Sequence, residues 1–250
     1  MTGRMKEYTP MLNEKPILFN SAMIRSILKN RKSQTRRVIK PQPPSYNWHP
    51  KEHSAQPCYW IGYSDTGKLR NDVGGLKNDC GWKCPFGAPG DRLWVRETWR
   101  ETWSSSHNPM DKPSKHETGV EYRATWNGRR DPEARTIVTN GPRYGGDMAK
   151  DGHVKWRPSI YMPRWASRIT LEVVGVKVER VQEINGTDAQ AEGWPRDQEL
   201  FPTVNAGYKA NFWFSNLWDS INAKRGYGWS VNPWCWCVEF KQLATTERKT

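Results

Sequence analysis

Lys32 and Thr35 stand three residues apart in the segment Asn30-Arg31-Lys32-Ser33-Gln34-Thr35-Arg36-Arg37, which contains no acid. A threonine hydroxyl is a weak nucleophile at its free pKa. A nearby amine serves as its base when burial or adjacent positive charge lowers the lysine pKa, and Arg31, Arg36 and Arg37 are such neighbours. In a strand, Ser33, Thr35 and Arg37 point to one side and Gln34, Arg36 and Val38 to the other. Lys32, just before it, then lies within reach of the Thr35 hydroxyl. The charge extends further: nine basic residues from Lys15 to Lys51 come without a single Asp or Glu. Such charge faces solvent or an anion, and a solvated basic face is the plainer alternative. Against that alternative, the cations straddle an amphipathic helix and a strand that fix their directions.

Glu97 is a second candidate. Alternation in Leu93 to Trp99 puts Leu93, Val95, Glu97 and Trp99 on one face and Trp94, Arg96 and Thr98 on the other. A carboxylate in an apolar row is a site residue or the partner of an arginine such as Arg37, and Arg96 reads as a ligand-binding cation or a plain surface one. Five cysteines give no disulfide framework. Cys58, Cys80 and Cys84 with His49 or His53 are of zinc-ligand type, but the spacings are irregular and lack a C-x2-C pair, so free thiols are expected, with Cys235 and Cys237 structural.

The segment from Asn30 to Arg37 resembles the signature of ASCH domains in the PUA-like superfamily, with Asn30 at the position of the signature's glycine. The resemblance continues through Pro89-Gly90-Asp91-Arg92-Leu93-Trp94-Val95-Arg96-Glu97-Thr98-Trp99, through Arg157 to Ile169, through Asp188-Ala189-Gln190-Ala191-Glu192-Gly193 and through Asn232-Pro233-Trp234. Together these are similar to long ASCH-like proteins of bacteriophages and prophages. The resemblance implies an α+β fold, a mixed PUA-like β-barrel with two or three flanking helices. Thr35 at the signature's Glu/Thr position resembles the N4-acetylcytidine amidohydrolase branch. Carried over, Thr35 is the nucleophile, Lys32 its base and Glu192 the carboxylate that orients or shuttles protons, with Arg37 a substrate or site-stabilising group. Arg31, Arg36, Arg96 and Glu97 complete the expected binding set. This chemistry implies no metal and no cofactor. The partners implied are RNA or a modified nucleoside or nucleobase, with DNA as an alternative; the competing roles are a non-catalytic RNA or modified-DNA binding module and a ribonuclease on single-stranded RNA.

The elements that position these residues follow from the pattern. Pro16 to Phe19 reads as a strand, and Asn20 or Ser21 caps a helix carrying Met23, Ile24, Ile27 and Leu28. Asn30 suits a left-handed helix end. Strands are expected over Ser33 to Ile39, Leu93 to Trp99 and Ile169 to Val181, the last with a bulge or bend beside Gly175 where its alternation changes phase. A short helix capped by Asn185 or Thr187 ends at Gly193. A longer one runs from Ala206 to Ile221 with Phe214, Leu217, Trp218 and Ile221 as its apolar stripe. Pro233 to Lys241 closes the domain with Trp234, Trp236, Val238 and Phe240 inward. A single domain over 15–242 is expected, with irregular insertions at about 45–88 and 101–156, the second broken by one strand near Tyr122 to Trp126. Flexible tails are expected at 1–14 and 243–250.

The whole composition agrees with a polyanion partner. The 250 residues hold 39 Lys+Arg against 26 Asp+Glu, a net charge of +13. Mean hydropathy is −0.90 and no apolar run is long enough to span a membrane. Residues 1–14 lack the apolar stretch of a signal peptide, so a cytoplasmic setting is expected, in the bacterial host if the chain is phage-encoded. Fifteen Trp supply the core bulk that few aliphatics provide. Trp218, Trp234 and Trp236 are expected in the core, while Trp126 and Trp156 are left to meet a base.

Overall fold

The computed structural model describes residues 13–42, 47–50, 59–63, 81–103, 116–127, 135–139, 155–195 and 205–243. In chain order these form β1 (Glu14–Leu18), α1 (Ser21–Leu28), β2 (Gln34–Val38), β3 (Asn47–Pro50), β4 (Tyr59–Tyr63), β5 (Gly81–Lys83), β6 (Arg92–Arg96), β7 (Trp99–Trp103), β8 (His116–Tyr122), β9 (Arg135–Thr139), β10 (Thr170–Arg180), α2 (Gly186–Ala191), α3 (Ala206–Asn222) and β11 (Trp234–Gln242). The two expected tails lie outside the described residues, apart from Asn13, Glu14 and Leu243 at their inner ends.

The architecture is mixed α+β, built on a five-stranded sheet of order β1-β6-β10-β11-β2. Only β1 and β6 run parallel; the other three pairings are antiparallel. Ile17, Phe19, Leu93, Val95, Leu171, Val173, Trp236, Val238 and Phe240 pack on one face together with Ile24 and Ile27 of α1. The opposite face is covered by α2 and α3, where Ala189, Ala210, Phe214 and Trp218 meet Cys235 and Cys237. β11 is therefore buried on both sides, which alternation within its own sequence did not reveal. The apolar stripe of α3 is Ala210, Phe214 and Trp218, and Leu217 and Ile221 sit at its margin.

Local signals account for several boundaries. Asn20 caps α1 by accepting from the Met23 N–H at 2.9 Å, and Asn30 ends the turn after it at φ +53°. The phase change in β10 is a real slip of register between Val173 and Gly175 against β11. Asn185 caps α2 and Gly193 follows it at φ +103°. The expected strand Leu93 to Trp99 divides instead: β6 stops at Arg96, and Trp99 starts β7 in a different sheet.

Three expectations need correction. The expected barrel is not closed among the described residues, where the edge strands β1 and β2 share no backbone ladder. They are linked by a side chain, since Arg37 Nη2 donates to the Leu18 carbonyl at 2.6 Å. The stretch 45–88, expected to be irregular, holds the antiparallel sheet β3-β4-β5. The stretch 101–156 holds most of a third, β7-β8-β9, while residues 123–125 form a turn and not a strand. No helix among the described residues is long and apolar enough to cross a membrane.

Truncating a buried aromatic of α3, Phe214→Ala, is expected to cost about 3–5 kcal/mol by loss of contacts and a residual cavity. Removing the α1 cap with Asn20→Ala is expected to cost about 1 kcal/mol. Urea unfolding of the three proteins measures both.

Candidate functional site

The turn after α1 brings Lys32 against the end of α2. Lys32 and Glu192 form an isolated antiparallel bridge, and the Ser33 N–H donates to the Ala191 carbonyl at 2.9 Å. Close approach here requires a glycine at 193. A Cβ on it would lie 3.0 Å from Ser26 Cβ and 3.2 Å from Lys32 Cβ, in a backbone conformation that already disfavours side chains.

Within this junction Lys32 Nζ donates to Glu192 Oε2 at 2.7 Å and to the Glu192 carbonyl at 2.8 Å. The Lys32 side chain has 0% exposure and that of Glu192 3%. Burial lowers the Lys32 pKa below the ordinary 10.5; Glu192 opposes the shift, and Arg37 and Arg36 add to it. A lysine held this way gives up its proton more readily than one in water.

Arg36 points to the opposite face of β2 and serves that junction from behind. Its guanidinium donates to Gln34 at 2.6 Å, to Glu179 at 2.9 Å and to Asp188 at 2.9 Å, and Nη1 lies 3.6 Å from Glu192 Oε1. Burial works against its charge, but Cys237, Glu192, Cys235 and Asp188 outweigh it and raise its pKa. Arg36, expected to contact ligand, is committed to carboxylates inside the protein. Arg37 lies on the other face, 5.1 Å over the Phe19 ring, while Lys32 Nζ is 5.8 Å from the same ring. Burial lowers the Arg37 pKa and Glu192 opposes it.

Thr35 is buried on β2 opposite Val238. It shares the Arg37 face and lies between two cations that both approach Phe19, so it is directed to the same side of the sheet. Its hydroxyl makes no hydrogen bond among the described residues. The expected Lys32-to-Thr35 contact is thus replaced by Lys32 to Glu192, and the structure unites two of the three expected catalytic residues. Catalytic hydrogen bonds often tighten only when substrate is bound.

The remaining candidates disperse. Arg31 begins the chain's return from α1, its N–H on the Ser26 carbonyl at 2.8 Å. Glu97 does not meet Arg37: it is 2% exposed and held by both nitrogens of a bidentate Arg168 at 2.9 Å each, with the Arg168 guanidinium 3.9 Å over the Tyr122 ring. Arg96 lies on the outer face, 4.6 Å over Trp94, and donates to the Ile160 carbonyl at 3.2 Å. Trp126 and Trp156 are not free. They meet edge to face at 5.7 Å, with Arg100 4.5 Å and Arg123 5.4 Å from the Trp156 ring. Cys84 is a buried core thiol; Cys58, Cys80 and His53, and the side chain of His49, lie outside the described residues. Among the described residues no cluster of His, Cys, Asp and Glu is built to hold a metal.

Sequence reasoning missed Phe19, Glu179, Asp188, Arg168 and Ser26 as site-building groups. Asp188 and Arg168 fall within the segments that carry the ASCH resemblance, which was the available signal. The others lack any pattern of their own. No family model, curated protein or solved structure matches the chain.

Glu192→Gln leaves Lys32 facing Arg36 and Arg37 without an anion and is expected to destabilise by about 3–5 kcal/mol. Lys32→Met costs less, because Glu192 keeps Arg36. Since the native Lys32 pKa lies below the unfolded 10.5, the unfolded chain binds more protons between the two values, and the lysine's contribution to stability rises with pH across that window. The stability difference between wild type and Lys32→Met, followed by urea unfolding as pH is raised, is expected to move in favour of wild type.

Proposed function

We propose that the protein is an ASCH-type hydrolase acting on a modified nucleobase, and that it removes an acyl group from the exocyclic nitrogen of N4-acylated cytidine. The observation that carries this reading is the fully buried Lys32 amine, paired with Glu192 and lowered in pKa, on the side of the sheet to which Thr35 is directed. The mixed five-stranded sheet, with β1 and β2 at its edges bridged by Arg37, supports the reading that the fold is PUA-like.

In this reading neutral Lys32 accepts the Thr35 proton as Oγ1 bonds to the acyl carbon. The C–N bond to the base then breaks, and the leaving nitrogen takes a proton relayed from Lys32 by Glu192. Water attacks the acyl-threonine ester, releasing the carboxylic acid and restoring the hydroxyl. Arg37 stabilises the oxyanion formed at each addition. Substrate entry separates Lys32 from Glu192 enough for the amine to engage Thr35.

A nucleic-acid reader without catalysis is the second reading, favoured by the net charge of +13. Incubation with N4-acetylcytidine and with acetylated RNA separates the two. The hydrolase is expected to release acetate, and Lys32→Met and Thr35→Val to lose about 10²–10⁴-fold in rate. If neither substrate yields acetate while RNA still binds with strong salt dependence, the reader replaces the hydrolase.

A further inference from the structure

Glu192 is only half satisfied. Its Oε2 accepts from Lys32 Nζ, but Oε1 is buried and, among the described residues, accepts no hydrogen bond. A buried carboxylate oxygen without a donor is costly. On its side stands Arg36, with Nη1 3.6 Å away, close enough for an ion pair and too far for a hydrogen bond. Other partners hold Arg36 at that distance. Its Nη2 donates to Glu179 and Asp188, both at 2.9 Å, and Nη1 gives one of its N–H groups to Gln34 at 2.6 Å, which leaves the second for Glu192. Asp188 and Glu192 lie four positions apart at one side of α2 and turn to the same guanidinium. The helix itself is pinned, since a Cβ on Gly186 would lie 2.6 Å from Gly207 Cα of α3. What can move between the two cations is the Glu192 carboxylate.

Lys32 does not depend on that carboxylate alone. Its Nζ also donates to the Glu192 main-chain carbonyl at 2.8 Å. An amine that has lost its proton keeps two N–H groups and gains a lone pair, so it stays on the carbonyl while the lone pair acts as base. The carboxylate then faces a neutral amine. In so buried a place it needs another cation, or it takes up the proton itself.

We infer that Arg36 is a positioning residue that receives the Glu192 carboxylate when Lys32 is neutral, so that Glu192 has two stations, one on Lys32 and one on Arg36. Glu179 and Asp188 set the distance between them. This rests on the reading of Lys32 as a base, and it names what frees the amine from its partner. The other charged and titratable groups at the junction act at its margins: Arg37 adds to the positive field at Lys32, Lys177 holds Glu179 at 2.9 Å and Asp188 at 3.5 Å, and Cys235 and Cys237 of β11 lie beside Arg36. Among the described residues only Arg36 forms an ion pair with Glu192 Oε1.

Two variants test this, with circular dichroism to check their folding. A crystal structure of Lys32→Met, which leaves Glu192 no amine, is expected to show its carboxylate on Arg36 Nη1 at about 2.7–2.9 Å. A carboxylate that stays 3.6 Å away, or turns elsewhere, overturns the second station. Arg36→Lys keeps the charge but replaces a fork by a single nitrogen, which cannot hold Glu179 and Asp188 and also receive Glu192. The Lys32 signal, read by NMR from ¹³C at lysine Cε and assigned with Lys32→Met in the same background, is expected to titrate at higher pH in Arg36→Lys than in wild type, because the ammonium has no rival for the glutamate. The pH profile of acetate release from N4-acetylcytidine is expected to move the same way. At neutral pH kcat falls about tenfold, part of the roughly 10²–10⁴-fold that a general base supplies, with KM unchanged. A Lys32 that titrates in Arg36→Lys as it does in wild type means that only the charge of Arg36 matters, and also overturns the station. If wild type releases no acetate, the hydrolase falls while the crystal structure and the titration still decide on Arg36. Acetate release with Glu192 unmoved in Lys32→Met leaves the hydrolase standing and removes the station.

Discussion

A lysine and a glutamate shut away from water, joined head to head, constrain much of what surrounds them. Taking two charges out of solvent is costly unless the geometry is good and the remaining polar groups are satisfied. The structure meets that demand with elements far apart in sequence: Lys32 from the turn after α1 and Glu192 at the end of α2, 160 residues on. Gly193 permits the close approach, Asn30 in a left-handed conformation turns the chain back toward it, and Arg36, itself fixed by Glu179 and Asp188, keeps positive charge behind the glutamate. Lose the glutamate and several of these features hold a charge with no purpose.

The same constraint explains why β2 carries arginines on both of its faces. Arg36 turns under α2 and α3 into the carboxylates, and Arg37 turns to Phe19 and the edge of β1. One side chain therefore serves electrostatics and the other joins the two edges of the sheet. The basic stretch read from composition as a single charged surface is divided by the strand's alternation into an internal part and a rim. The exposed cations of the stretch, Arg25, Lys29 and Lys40, lie off the strand.

Legibility in the sequence followed how local each signal was. The cap at Asn20, the left-handed Asn30, the slip beside Gly175 and the face alternation of β2 depend on a few adjacent residues and were all readable. The pairing of Glu97 with Arg168 spans 71 positions, and no periodicity announces it. The sheets β3-β4-β5 and β7-β8-β9 were hidden for another reason: among the β8 residues whose side chains are described, Val120 and Tyr122 alone reach a buried cluster, too few to impose an alternating pattern on a polar strand. Glu192 entered through family resemblance alone, since a glutamate closing a short helix has no chemical signature. Its contact with Lys32 is visible only once the chain has folded.

All of this turns on Lys32 being a buried amine whose proton is held less tightly than in water. NMR titration of protein carrying ¹³C at lysine Cε, with Lys32→Met to assign the resonance, measures that directly. One lysine signal is expected to titrate below 10.5 and to vanish in the variant. A Lys32 signal titrating at or above that value would mean that Glu192 simply fixes the ammonium as a structural cation, and would contradict the role of Lys32 as a base.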